Sequence, residues 1–335
     1  MTERRRSPRS RHGLTGSSAL LGGPLDVEAG AEEPRPPPEA YDARSGALDL
    51  PRDAPAAKAP EPRDLHTLIP PPDTGRAIDD WGRSERVFAL MEPVLDFYYR
   101  YWFRVEVEGV ENVPAEGGAL LVSNHSGALP PDGPMIMQAI RHEHPRPRPL
   151  YMLGEHWFKG YPGVGLVANK LGLVGAHPAN AQRLLRDEGR LALVFPEGQK
   201  ASRKLYWQRY RLRRFGRGGF VRTAIRAGVP IVPIAVIGAE EAMPIFAHVP
   251  LLQRLTGLIY FPVNHAFPQF GLAAAAMYLP AKFRIRFLEP VDLSAHDGKD
   301  TDDIGLVQGI AEEIRGRIQS ELDSLVAART SVWFG

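Results

Sequence analysis

The 335-residue chain contains no cysteine, which excludes disulfides, Cys–Zn sites and thiol nucleophiles and leaves the redox compartment open. It also lacks an excess of charge. With 41 Lys+Arg against 39 Asp+Glu the net charge is +2, so no overall field draws the chain to nucleic acid, and any basic surface must be local. Long apolar runs are missing too. The most apolar stretch, 249–281, has a single formal charge at Arg254, yet Pro262, Asn264 and Pro268 interrupt it before the roughly 20 apolar residues that span a bilayer. It is expected to be a lid, a membrane-contact segment or a buried apolar subdomain.

Residues 1–75 are nearly devoid of aromatics and dense in Pro, Arg, Ala and charge, as in "EEPRPPPEAYDARSG". Such a composition buries too little apolar surface to offset its ordering entropy, so a disordered tail is expected. The stretch "GLTGSSALLGG" is too short and too glycine-broken for a secretory signal, which makes cytosolic synthesis the expectation. No repeat of solenoid period is found.

What is present begins near Trp81. With 44% hydrophobic residues in the whole chain, the remainder can bury a sizeable core. In residues 76–104 a candidate cap, Ser84, precedes Val87, Leu90, Met91, Val94, Leu95 and Tyr98 at helical spacing. The segment ends in Phe97, Tyr98, Tyr99, Tyr101, Trp102 and Phe103 with Arg100 and Arg104 among them. Two readings stand: a core-packed helix, or an amphipathic interfacial helix whose aromatics and arginines suit lipid headgroups. From Val105 strands are expected at 105–107, 119–123, 150–153, 191–195, 231–237 and 283–287, and helices at 135–142, 180–188, 219–227 and 302–328. Alternating strands and helices predict an α/β sheet with parallel pairs, whose reactive groups gather where strands end.

The segment "LLVSNHSGALPPDGPM" places His125 at such an end. Gly127, Pro130 and Pro131 make a tight path that can return Asp132 to the imidazole, leaving the other ring nitrogen to take a proton from an alcohol. A histidine that merely ends a strand fits the same residues. No Gly-x-Ser-x-Gly elbow accompanies it. A second strand, "LALVFPEG", is stopped by Pro196 and turned at Gly198, so Glu197 reaches a similar position, where it can hydrogen-bond a polyol or serve a plain surface turn. A third segment, "GVPIVPIAVIG", reads as a buried core strand.

In order and spacing, "NHSGALPPD", "VFPEG" and "GVPIVPIAVIG" resemble the first, third and fourth sequence blocks of the glycerolipid and lysophospholipid acyltransferase superfamily, a likeness that covers about residues 105–290. The resemblance implies an acyltransferase domain at 105–330, α/β in class, with a mixed, largely parallel sheet flanked by helices. It implies an acyl group moved from acyl-CoA or acyl carrier protein to a lipid hydroxyl, at the cytoplasmic side of a membrane, by a peripheral or monotopic protein with no bound cofactor or metal. His125 would be the general base and Asp132 its orienting carboxylate. Asn124, Ser126, Gly127, Phe195, Pro196, Glu197 and Gly198 would hold substrates or buttress the histidine loop.

Two departures bear on that reading. Six residues separate His125 from Asp132 where the family's commonest block has four. Gly175–Pro178 offers no arginine until Arg183, whereas phosphate-accepting members present one there, and without a guanidinium a bidentate phosphate clamp is lost. This leans toward the mono- and diacylglycerol-acyltransferase-like branch. Arg211, Arg213 and Arg214, in the basic, aromatic-rich "RKLYWQRYRLRRFGRGG", are the candidates to supply such a contact instead, or to meet lipid headgroups, coenzyme A or acyl carrier protein. The alternatives are an inactive lipid-binding or scaffold protein of the same fold, or a hydrolase. His142, His144, His156, His248 and His265 read as ordinary surface or core residues.

Overall fold

Residues Ala119–Ser123 and Ile231–Ile237 are buried at every position, the pattern of strands covered on both faces rather than on one. The computed structural model places both in the middle of one sheet. It describes residues 78–335 apart from 128, 155–162, 199–200, 202, 250, 252–261, 268 and 271–276. The expected tail, His156 and most of the 249–281 stretch therefore lie outside the described residues.

In chain order the strands are β1 (Glu106–Glu108), β2 (Ala119–Ser123), β3 (Leu150–Gly154), β4 (Leu173–Gly175), β5 (Leu191–Val194), β6 (Ile231–Ile237), β7 (Ala247–His248), β8 (Pro262–Val263) and β9 (Arg284–Phe287). The helices are α1 (Glu85–Asp96), α2 (Asp132–Glu143), α3 (Val164–Lys170), α4 (Pro178–Gln182), α5 (Gly219–Ala227), α6 (Ala239–Ala242) and α7 (Ile304–Ala327). Seven strands form a sheet in the order β1-β9-β6-β2-β5-β3-β4, and β7 and β8 pair separately. All neighbours in the large sheet are parallel except β9 and β6, so β1 and β9 run against the other five. The sheet is mixed and largely parallel, as expected.

Helices cover both faces. Beneath α1 and α2 lies a core containing Phe88, Leu95, Ile136, Ile140 and Phe283, while α5 and α7 close the opposite face with Val221, Ile225, Val307, Ile314 and Ile318. Ser84 caps α1 through its Oγ, which accepts from Val87 N at 3.4 Å, and the helix runs on into a wider π turn over Phe97–Trp102. Its apolar residues divide between two faces. Phe88, Leu95 and Tyr99 are buried, whereas Leu90, Val94, Phe97 and Tyr101 form an outward stripe, 76%, 47%, 47% and 70% exposed. The register of β2 with β5 and β6 sets Ser123 and Val194 at the same edge, so the residues that follow β2 and β5 emerge side by side.

Candidate active site

His125 leaves that edge one residue after Asn124, whose position is fixed from both sides. Asn124 Nδ2 donates to Val236 O at 2.9 Å and its Oδ1 accepts from Val236 N at 2.8 Å, a two-point tie between the end of β2 and the body of β6. The loop then returns through Pro130 and Pro131 to Asp132, the first residue of α2. His125 Nδ1 lies 3.0 Å from Asp132 Oδ2, so the longer His-to-Asp loop does return the carboxylate. The same carboxylate accepts from Ser126 N at 2.7 Å and Gly133 N at 2.8 Å. Burial alone would push the Asp132 carboxyl up. The His125 imidazole and the two amides outweigh it and hold the group below the ordinary aspartate range.

An ionised carboxylate only accepts, so Nδ1 is the protonated nitrogen and Nε2 carries the lone pair. The imidazole stacks on the Phe195 ring with centroids 4.0 Å apart and remains 14% exposed, enough to leave one edge accessible. Beside it the Ser126 hydroxyl is buried without a hydrogen-bond partner.

Glu197 turns inward. Pro196 ends β5, and Gly198 has φ 57°, a left-handed conformation that favours glycine. The fully buried Glu197 carboxylate accepts from His125 N at 3.3 Å and Arg213 N at 2.8 Å, and stands 3.5 Å from Lys204 Nζ. Lys204, also buried, is 2.8 Å from Glu240, which accepts in turn from Tyr210 N. Two carboxylates thus share one ammonium. For Lys204, burial works against the charge, but Glu240 and Glu197 outweigh it and raise the ammonium above its usual range. Glu240 is pushed up to about 7 by burial, against the pull of Lys204. A cavity of about 10 Å³, room for one water, opens between Gly127, Lys204, Arg209 and Glu240.

The three arginines expected to meet an acceptor lie at the surface. Arg211, Arg213 and Arg214 are exposed; the Arg213 guanidinium donates to Gln208 and that of Arg214 to Gln308 on α7. Arg183 pairs with Asp80 and Glu188 and lies over Trp81. Lys204, Glu240 and Tyr210 join the site without having been expected there from the sequence. The available signal was the acidic pair Glu240–Glu241 directly after an all-apolar strand, where two carboxylates can be buried only if cations meet them. Glu241 is met by Arg209 and Arg329. Among the described residues no three His, Asp or Glu side chains are grouped to hold a metal.

Comparison with known proteins bears on the same segments. The acyltransferase family model matches residues 104–237, which hold the His125–Asp132 loop, Glu197 and β6. An uncharacterized protein of Mycobacterium tuberculosis is 44% identical over 260 residues, 77% of this chain and 72% of that protein. A chicken protein named a DGAT1/2-independent enzyme synthesizing storage lipids is 26% identical over 259 residues, 77% of this chain and 69% of that one. The crystal structure of a 1-acyl-sn-glycerophosphate (LPA) acyltransferase from Thermotoga maritima superposes with a TM-score of 0.47 at 19% identity, covering 73% of this chain and 83% of that one. On the match that spans its histidine loop and the extent of its curated relatives, the chain belongs to the acyltransferase family.

Proposed function

We propose that the protein transfers a fatty acyl group from an acyl thioester, carried by coenzyme A or acyl carrier protein, to the hydroxyl of a neutral glycerolipid. The observation that carries this reading is the 3.0 Å contact between His125 Nδ1 and the buried Asp132, with Nε2 left as the basic edge. In this scheme Nε2 takes the hydroxyl proton as the oxygen attacks the thioester carbonyl. Collapse of the tetrahedral adduct breaks the C–S bond, and the imidazolium returns its proton to the leaving thiolate, so atoms and charge balance. Asp132 stabilises the transient imidazolium. The unpaired Ser126 hydroxyl is a donor available to the substrate one residue away. Glu197 acts behind the histidine, through its backbone amide, rather than on the acceptor.

A neutral acceptor is favoured by two observations: the 175–178 segment has no guanidinium, and Arg183 is already paired with two carboxylates. The storage-lipid activity in the name of the chicken relative points the same way. Peripheral contact with a membrane surface is supported by the outward apolar stripe of α1. Among the described residues no helix is long and apolar enough to cross a bilayer.

The test is competition between monoacylglycerol and lysophosphatidic acid for one labelled acyl-CoA, repeated with labelled acyl carrier protein. Monoacylglycerol is expected to be acylated at least as well, and His125→Ala to lower the rate about 10²–10⁴-fold while leaving the protein folded. A strong preference for lysophosphatidic acid, abolished on neutralising Arg211, Arg213 and Arg214, would return those arginines to the acceptor site. Label released as free fatty acid despite abundant acceptor would make the protein a hydrolase.

A further inference from the structure

The six residues between His125 and Asp132 belong to a loop that closes on itself. His125 Nδ1 and Ser126 N both end on the same oxygen, Asp132 Oδ2, at 3.0 and 2.7 Å, so the path taken in between is felt at that one atom. Each end has its own support. Asn124 is tied to Val236, and Asp132 begins α2. The pyrrolidines of Pro130 and Pro131 fix φ near the second end, whereas Gly127, without a Cβ, is the residue least able to fix the path by itself. The middle of the loop needs a support from elsewhere.

A tyrosine from a distant part of the chain supplies it. Tyr278 OH donates at 2.8 Å to the carbonyl of Leu129, which lies four residues after His125 and three before Asp132. The segment that carries the phenol is held by two other parts of the fold. Tyr278 O accepts from Trp102 Nε1 at 3.1 Å, Pro280 O accepts from the Arg104 guanidinium at 2.8 Å, and Leu279 N donates at 2.8 Å to Ala242 O, the last residue of α6. Arg104 adopts φ 46°, a conformation costly for a residue with a side chain, and its bonds to Trp102 O and Pro280 O offset that cost. The phenol ring stands edge-on to Tyr98 and Phe103, with centroids 5.7 and 5.8 Å away, which sets the plane in which the hydroxyl points.

Packing accounts for an aromatic ring at this position but not for its hydroxyl, since phenylalanine would meet Tyr98 and Phe103 in the same way. Burial, with Tyr98 and Asp132 close by, pushes the Tyr278 phenol up, so the group stays protonated and remains a donor through neutral pH.

We infer that Tyr278 is a positioning residue for the reaction at His125: its hydroxyl fixes Leu129, and with it the path by which the loop returns Asp132 to the imidazole. It acts through the loop backbone and not on the substrate. This rests on the reading of the protein as an acyltransferase with His125 as its base. Tyr278→Phe, made in the full chain, removes the hydroxyl and keeps the ring. Transfer from labelled acyl-CoA to monoacylglycerol is expected to fall about three- to tenfold in kcat, the worth of one net hydrogen bond, with KM unchanged. In an Asp132→Asn background, where no carboxylate returns to the ring, the same change is expected to alter kcat less than about twofold.

A second measurement needs no turnover. In protein carrying isotope-labelled histidine, the ring-nitrogen resonances of His125, identified by their loss in His125→Ala, report which nitrogen holds the proton. Wild type is expected to show the Nδ1–H form, and Tyr278→Phe to move toward a mixture of the two tautomers. His125 resonances identical in the two proteins overturn the inference. So does a loss of kcat as large in the Asp132→Asn background as in wild type, which would make the hydroxyl a general support of the fold, or a loss confined to KM, which would make it a substrate contact. If wild type moves no acyl group at all, the acyltransferase reading fails, while the tautomer measurement decides the role of Tyr278 by itself.

Discussion

Asp132 lies at the first turn of α2 as well as beside His125, so two local fields hold it ionised: the imidazole and the amides at the helix start. Its depressed folded pKa means that the stabilisation it provides is present above the unfolded aspartate range and is lost as pH falls through the folded value. Loss of activity in mild acid should therefore not come from Asp132. Asp132→Asn keeps the shape but lets the ring choose the wrong tautomer, so turnover should fall, less than for His125→Ala, with little change in KM. Wild-type turnover in that Asp132→Asn variant would remove the carboxylate from the mechanism. Glu240 has the opposite sign. A carboxyl raised to about 7 binds more protons folded than unfolded, so its contribution to stability is full below the ordinary glutamate range and is lost as pH rises toward and through 7. Glu240→Gln leaves Lys204 and Glu197 as a one-to-one pair. Melting curves should then show the variant losing less stability than wild type between pH 5 and pH 8, which parallel curves for the two proteins would disprove.

At the scale of elements, Gly238 shows how the site's frame is fixed. It follows β6 at φ 102°, and a Cβ there would fall 2.5 Å from Lys282 O and 2.6 Å from the Phe283 ring. Gly238 N also donates to Tyr210 OH at 2.7 Å. Gly238→Ala is expected to destabilise by about 2–4 kcal/mol through backbone strain and displacement of β9. A calorimetric melting temperature within a degree of wild type would contradict this. Much of the frame was legible in the sequence: β2, β6 and α5 coincide with their expected limits, because unbroken apolar runs and Gly or Pro punctuation mark them directly. β4 and α3 left no such mark. β4 is three residues long and α3 is a single short helix, too brief for either period to register. α1 was legible as a helix, but its two apolar faces were not separable, since burial depends on which neighbours arrive. The His125–Asp132 couple was legible because both ends lie in one loop. The Glu197–Lys204–Glu240 group joins segments brought together only by the sheet, and spacing cannot show that.

For the whole molecule, the question is how much of the chain the chemistry requires. Every hydrogen bond described around His125, Glu197 and Glu240 is made by residues from Asn124 onward, and among the described residues the contacts at the start of α1 begin at Asp79. Residues 1–75 carry no periodic apolar face with which to dock, and their five arginines before Gly13 suit a polyanionic surface better than a core. Removing them should leave the melting temperature within about two degrees and the turnover number on a soluble acceptor within about twofold. Partition onto anionic vesicles should weaken, because the basic residues at the start of the sequence add long-range attraction to an anionic surface. Raising ionic strength should abolish the difference between full-length and truncated protein, because attraction between exposed charges is screened. A truncation that lowered the melting temperature by about ten degrees would instead place part of the first 75 residues within the folded structure.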